Sequence, residues 1–122
     1  MIIGTGIDIV KVERFSKEQN THFMQRVFSV YEQEYLAAKG AESMAGLFAA
    51  KEAVAKAMGT GFAGFSPCDI EVLHDANGKP YVMLHGKAEE IIKKAAAGRC
   101  FSLHISISHS ATDAIAFAVL EA

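Results

Sequence analysis

The chain has 122 residues, enough for one ordinary domain and too few for two. Apolar residues make up 51% and charged residues 21%, a balance that excludes disorder and favours a packed core. The net charge of −2 gives no support to generic nucleic-acid binding, and no apolar run approaches the ~20 residues of a membrane span. The amino terminus, MIIGTGIDIV, lacks the basic and long apolar regions of a secretory signal. Cys68 and Cys100 form no CxxC, and reduced thiols in a cytoplasmic protein are the expectation.

Residues 2–10 (IIGTGIDIV) are β-branched and carry two glycines, which predicts a buried N-terminal strand. Residues 12–39 read as broken helix. Ser29 and Glu32 form an S-x-x-E capping box, which starts a helix at Val30 that runs to Gly40. Residues 43–58 (SMAGLFAAKEAVAKAM) are strongly helical, with Gly59 as the stop. Two strands, 69–74 and 80–85, flank an Asn77-Gly78 hairpin turn. Residues 87–97 form an amphipathic helix with Ala88, Ile91, Ile92 and Ala95 on its apolar stripe. Glu89–Lys93 and Glu90–Lys94 are spaced as ion pairs on its other face, and Gly98 ends it. Residues 101–109 and 114–120 are two strands joined by a polar turn. The fold class is α+β, one domain over 1–122, with about five strands, antiparallel hairpins and four or more helices.

Four groups of residues invite a chemical reading. Asp8 shares a strand face with Gly4 and Gly6, so a carboxylate with open space beside it suits a metal and a ligand. Alternatively Asp8 ends the strand or caps the next helix. Glu52 and Lys56 lie one turn apart and read by themselves as a surface ion pair. Together with Lys51, however, they sit on an alanine-rich helix that looks largely buried, where charges are rare unless paired or ligating. In HISISHS (104–110), His104, Ser106, Ser108 and Ser110 share one face and Leu103, Ile105, Ile107 and His109 the other. A row of short hydroxyls suits hydrogen bonds to ligand oxygens as well as it suits a wet strand face. Between Lys11 and Arg26, four basic residues (Lys11, Arg14, Lys17, Arg26) outnumber two acidic ones (Glu13, Glu18), which would suit either an acidic partner or a solvated helix face. His22, His74 and His85 lack zinc-ligand spacing, and no G-x-S-x-G elbow supports a serine hydrolase.

GIDIV at 6–10, Arg14, RVFS at 26–29, FAAKEAVAKAMGTG at 48–61, DIEV at 69–72, NGKP at 77–80 and HISISHS at 104–110 follow one another in a specific order. In these motifs the chain resembles the holo-acyl-carrier-protein synthases, the small phosphopantetheinyl transferases. The resemblance implies the phosphopantetheinyl transferase fold. It also implies transfer of the 4′-phosphopantetheine arm of coenzyme A to a serine of apo acyl carrier protein. Adenosine 3′,5′-bisphosphate is released, Mg²⁺ is required, and the reaction supports fatty acid biosynthesis. By motif position Asp8 and Glu52 would be the magnesium carboxylates, and with Lys56 the catalytic set. Lys56, His104, Ser106 and Ser108 would bind coenzyme A, the HISISHS strand doing so from the adjacent subunit of a homotrimer. The helix carrying Arg14, with Lys17 and Arg26 nearby, would face the acidic carrier protein. The acceptor serine's proton would pass to Glu52 or to water held by the metal.

Two positions depart from that family's pattern. Leu47 stands where an arginine usually precedes FAAKEA, and Lys11 where an acidic residue is usual. The first implies weaker coenzyme A binding or compensation by another residue. The second implies an altered outer shell for the metal or altered carrier docking. Two other readings compete: a binding module that holds coenzyme A or carrier protein without transfer, and a small magnesium pyrophosphohydrolase using water as acceptor.

Overall fold

An alanine-rich helix with small residues on most of its surface can lie closer to a sheet than any leucine-faced helix can, and that contact organises the chain. The structure is a computed structural model that describes residues 1–17 and 20–122. Glu18, counted above in the basic stretch, lies outside the described residues. The strands are β1 (Ile2–Lys11), β2 (Ile70–His74), β3 (Pro80–Leu84), β4 (Ser102–His109) and β5 (Asp113–Glu121). The helices are α1 (Thr21–Val27), α2 (Val30–Ala37), α3 (Ala41–Ala57) and α4 (Gly86–Ala95). Short 3-10 turns cover Val12–Phe15 and Pro67–Asp69.

β1, β5 and β4 form an antiparallel sheet in that order, and β2 pairs with β3 in a separate hairpin. The predicted α+β class and five strands are therefore observed. The N-terminal strand differs from expectation, because it is an edge strand with only one face covered. Gly4, Gly6, Asp8 and Val10 turn towards α3, whereas Ile7 and Ile9 are 55% and 67% exposed on the other face. β5 alternates in the same sense. Ala114, Ala116, Ala118 and Leu120 are buried under α3, while Ile115 and Phe117 point outward.

The α3–β1 contact is unusually close. A Cβ built on Gly4 would lie 1.9 Å from the Ala57 carbonyl oxygen, and one on Gly6 would lie 1.9 Å from that of Ala53. The space that the sequence assigned to a ligand beside Asp8 is thus filled by helix backbone. Ala45, Ala49, Ala53 and Ala57 continue this small-residue surface along α3.

Local signals held in most places. The Ser29–Glu32 capping box forms, and α2 stops at Ala37. Gly59, Gly78 and Gly98 take positive φ where a helix stop or the hairpin turn was expected. In α4 the stripe is shifted: Ala88, Ile92 and Ala96 are buried and Ala95 is exposed. Residues 12–15, expected to be helical, form only a 3-10 turn, so Arg14 lies on that turn rather than on an α-helix.

Gly6→Ala is predicted to destabilise the fold by about 2–3 kcal/mol or more, because its new methyl meets backbone that cannot turn aside. Thermal unfolding should record a fall of roughly 10 °C in Tm. An unchanged Tm would show that α3 can lift off β1 freely.

Candidate active site

Asp8 reaches the site because period-two alternation places it on the same face as Gly4 and Gly6, at the end of the strip that α3 covers. Glu52 and Lys56 descend from α3 onto the same spot. The Lys56 ammonium lies 3.2 Å from Asp8 Oδ1 and donates to the Ile7 carbonyl at 2.9 Å. Lys56 is therefore paired across elements with Asp8 and the strand backbone. The surface Glu52–Lys56 pair suggested by spacing does not form a salt bridge among the described residues.

Burial raises the Glu52 carboxyl above its ordinary range, and the negative charge of Asp8 raises it further. Lys56 and Arg14 oppose the shift without cancelling it. Two carboxylates from different elements thus repel each other on a half-buried surface. The hard oxygen donors suit Mg²⁺, which commonly takes one or two carboxylates and completes its shell with phosphate oxygens and water. No cluster of three or more His, Cys, Asp or Glu side chains occurs among the described residues. The remaining ligands would therefore come from a substrate or from water.

Arg14, Lys17 and Arg26 lie around an aromatic floor. The Arg14 guanidinium sits 5.6 Å above the Phe15 ring and 5.3 Å from that of Phe48. Phe15 approaches Phe23 at 6.4 Å, and Arg26 lies 6.0 Å from the Phe23 ring. Lys17 lines an adjoining groove with Phe15, Met24, Lys39 and Met44. Arg14 and Arg26 therefore flank one aromatic surface, and Arg14 also acts electrostatically on Glu52.

The HISISHS strand is divided between two faces. His104, Ser106 and Ser108 point away from α3, opposite Val119, Phe117 and Ile115 of β5. His104 Nε2 lies 2.7 Å from Glu121 Oε1. Within one chain this row is on the far side of the sheet from Asp8, Glu52 and Lys56, and the structure does not bring the two groups together. Ser110 is not part of the row, because its hydroxyl accepts from Thr112 N and Asp113 N within the β4–β5 turn.

Sequence reasoning missed a cleft on the α3 side of the sheet. Tyr35, Leu47, His74, Pro80, Ile107 and His109 line it. The Tyr35 and His74 rings stack at 4.2 Å, and His109 Nδ1 lies 3.3 Å from Glu42 Oε2. The departure at position 47 therefore places a buried leucine beside two imidazoles. Strand alternation places His109 with Leu103, Ile105 and Ile107 on the face opposite His104, but no local signal links it to His74. The departure at position 11 has a direct partner: Lys11 Nζ is 3.3 Å from Asp113 Oδ1, its register neighbour on β5.

Comparison with known proteins adds the family. The sequence pattern of the 4′-phosphopantetheinyl transferase superfamily matches residues 4–117. The chain belongs to this superfamily. A holo-(acyl-carrier-protein) synthase of Clostridium perfringens is 44% identical, over 99% of this chain and 95% of that protein. The Neisseria meningitidis holo-(acyl-carrier-protein) synthase structure superposes with a TM-score of 0.87 at 33% identity, covering 100% of both chains. The Bacillus anthracis synthase, solved in complex with CoA (3′,5′-ADP), gives 0.80 at 38% identity, over 100% of this chain and 98% of that one. These likenesses extend over the whole transferase fold and include both carboxylate-bearing elements.

A carboxyl whose folded pKa lies above its unfolded value holds its proton more tightly when folded. Stability therefore falls as pH rises from the ordinary carboxylate range through the raised value. In metal-free protein Glu52→Gln should raise Tm at neutral pH and flatten that pH dependence; with Mg²⁺ supplied it should abolish transfer. A lower Tm at neutral pH would contradict the charge repulsion assigned to the site.

Proposed function

We propose that this chain is a holo-acyl-carrier-protein synthase: it transfers the 4′-phosphopantetheine arm of coenzyme A to a serine of apo acyl carrier protein. The observation that carries the reading is the convergence of Asp8, Glu52 and Lys56 where β1 meets α3, in a chain matched by the superfamily from residue 4 to 117. Residues 1–122 act as one transferase domain. The natural setting is fatty acid biosynthesis in the cytoplasm, where Cys68 and Cys100 stay reduced.

The serine hydroxyl oxygen forms a new ester bond to the β-phosphorus of the coenzyme A pyrophosphate, the phosphoanhydride bond to the α-phosphate breaks, and adenosine 3′,5′-bisphosphate leaves with the bridging oxygen. Little covalent work falls to the protein, so orientation and charge neutralisation dominate. Asp8 and Glu52 would hold Mg²⁺, which supplies charge neutralisation at the pyrophosphate. Lys56, already aimed at Asp8, contributes a second positive charge on the same phosphates and stabilises the departing bisphosphate. The serine proton would pass to Glu52 or to water at the same site. The aromatic surface bearing Arg14 and Arg26, with Lys17 beside it, receives the acidic carrier protein.

A homotrimer accounts for the outer face of the sheet. Ile7, Ile9, Ile115 and Phe117 form a continuous exposed apolar patch, of the kind that marks an interface. The row His104, Ser106 and Ser108 borders it. Packing this face against a neighbour buries the patch and offers the row to the neighbour's Asp8–Glu52–Lys56 site. This explains why the two halves of the coenzyme site lie on opposite faces of a single chain.

Intact mass spectrometry of apo acyl carrier protein, incubated with the protein, coenzyme A and Mg²⁺, should show gain of one arm. The gain should vanish with EDTA and with Asp8→Ala. Phe117→Lys should yield a folded monomer by light scattering and should not transfer. Coenzyme A bound without any gain would favour the binding module, and bisphosphate released without an acceptor would favour the hydrolase.

A further inference from the structure

Lys51, the residue before Glu52, takes no part in the chemistry above. Its side chain is fully buried, and so is that of Glu32. The Lys51 ammonium donates to Glu32 Oε1 at 2.7 Å, to the Pro67 carbonyl at 3.2 Å and to the Ile70 carbonyl. Its three donors are therefore used, and none is available to a substrate. Glu32 is equally committed. Its Oε1 also accepts from Ser29 N at 2.8 Å, and its Oε2 accepts from Val72 N at 2.8 Å. A second buried carboxylate supports the cluster: Glu71 accepts from the Ser29 hydroxyl at 2.5 Å and lies 3.0 Å from His85 Nε2.

This cluster ties α3 to α2, to the turn at Pro67 and to β2. Its location matters because of what α3 rests on. The contact with the sheet is glycine and alanine against alanine: Gly4, Gly6, Ala114, Ala116 and Ala118 below, Ala49, Ala53 and Ala57 above. Such a surface lets the helix come close but offers few large side chains to interlock against roll or slide. Successive residues on α3 address three neighbours: Lys51 faces β2, Glu52 faces Asp8, and Ala53 lies on Gly6. A roll that swings Glu52 away from Asp8 must pull a buried ammonium off three acceptors.

We propose that the Glu32–Lys51 pair is a positioning device for the active site, setting the roll of α3 so that Glu52 faces Asp8. The pair is poorly suited to a purely stabilising role. Replacing a buried ion pair by residues of similar shape is often neutral or stabilising, whereas definition of register is its best-attested use. The inference rests on the transferase reading for its substrate, but the geometry it invokes is that of the two carboxylates.

The test uses the double variant Glu32→Gln/Lys51→Met, which removes both buried charges and keeps an amide acceptor for the α2 cap. Ile92→Val in α4, away from the site, serves as a stability control. Three quantities are measured: Tm, kcat with its KM for carrier protein, and Mn²⁺ affinity by electron paramagnetic resonance in the presence of coenzyme A. The expected result is a folded protein with a lower Tm, because the Pro67 and Ile70 carbonyls lose their donor, and with kcat lowered about 10-fold or more and an unchanged KM for carrier protein. Mn²⁺ should bind more weakly to the double variant and normally to Ile92→Val. A folded double variant with the parent's kcat and Mn²⁺ affinity overturns the proposal. If the double variant does not fold, Glu32→Gln alone is measured in the same way. Loss of folding in both would make the pair a folding requirement and would also overturn the proposal. Should the parent itself fail to transfer, the transferase reading falls, and the Mn²⁺ comparison still decides the positioning role.

Discussion

The structure depends on how closely a helix can approach a strand. Without side chains at Gly4 and Gly6, α3 rests its backbone directly on β1, and the alanines of α3 and β5 extend that contact across the sheet. A chain built this way gives up the interdigitation of large side chains that usually fixes helix on sheet. In exchange, the end of the strand and the middle of the helix come within reach of one another. Asp8 and Glu52 can then share a site although they belong to different elements, and Lys56 can bridge back to the strand.

The repulsion between the carboxylates and the burial of Glu52 are unfavourable for the protein by itself. Under the proposed function a divalent cation and a pyrophosphate would offset both, as expected of a site tuned for charged substrates. The opposite face of the sheet follows the same logic at larger scale. A patch of isoleucine and phenylalanine beside a row of serines is costly to leave in water, and in the proposed homotrimer a neighbouring copy would cover it. The two departures from family pattern do not disturb this core. Lys11 pairs with Asp113 across the ladder, and Leu47 lines a cleft that retains His74 and His109.

Much of this was legible in the amino-acid sequence wherever the controlling physics is local. Strand alternation, the Ser29–Glu32 box and the glycine stops gave the elements, and the resemblance to the synthases singled out Asp8, Glu52 and Lys56 as candidates. What was not legible depends on distant partners. Spacing assigned Lys56 to Glu52, whereas its salt bridge is to Asp8, 48 residues away. Glu32 was visible as a capping residue, but its ammonium partner lies 19 residues further on and is reached only through the core. The glycines beside Asp8 were read as room for a ligand because a sequence cannot say what fills the space above a strand. Ala95 and Ala96 exchanged roles because a one-residue change of phase is nearly silent in an alanine-rich stripe.

The most direct measurement of the central claim is anomalous diffraction from crystals of this protein with coenzyme A and Mn²⁺ in place of Mg²⁺. The account predicts one anomalous peak in each active site, with an Asp8 oxygen and a Glu52 oxygen both within coordination distance and the pyrophosphate on the remaining side. A peak on the pyrophosphate alone, or one coordinated by only one of the two carboxylates, would contradict the claim that the α3–β1 contact exists to bring them together.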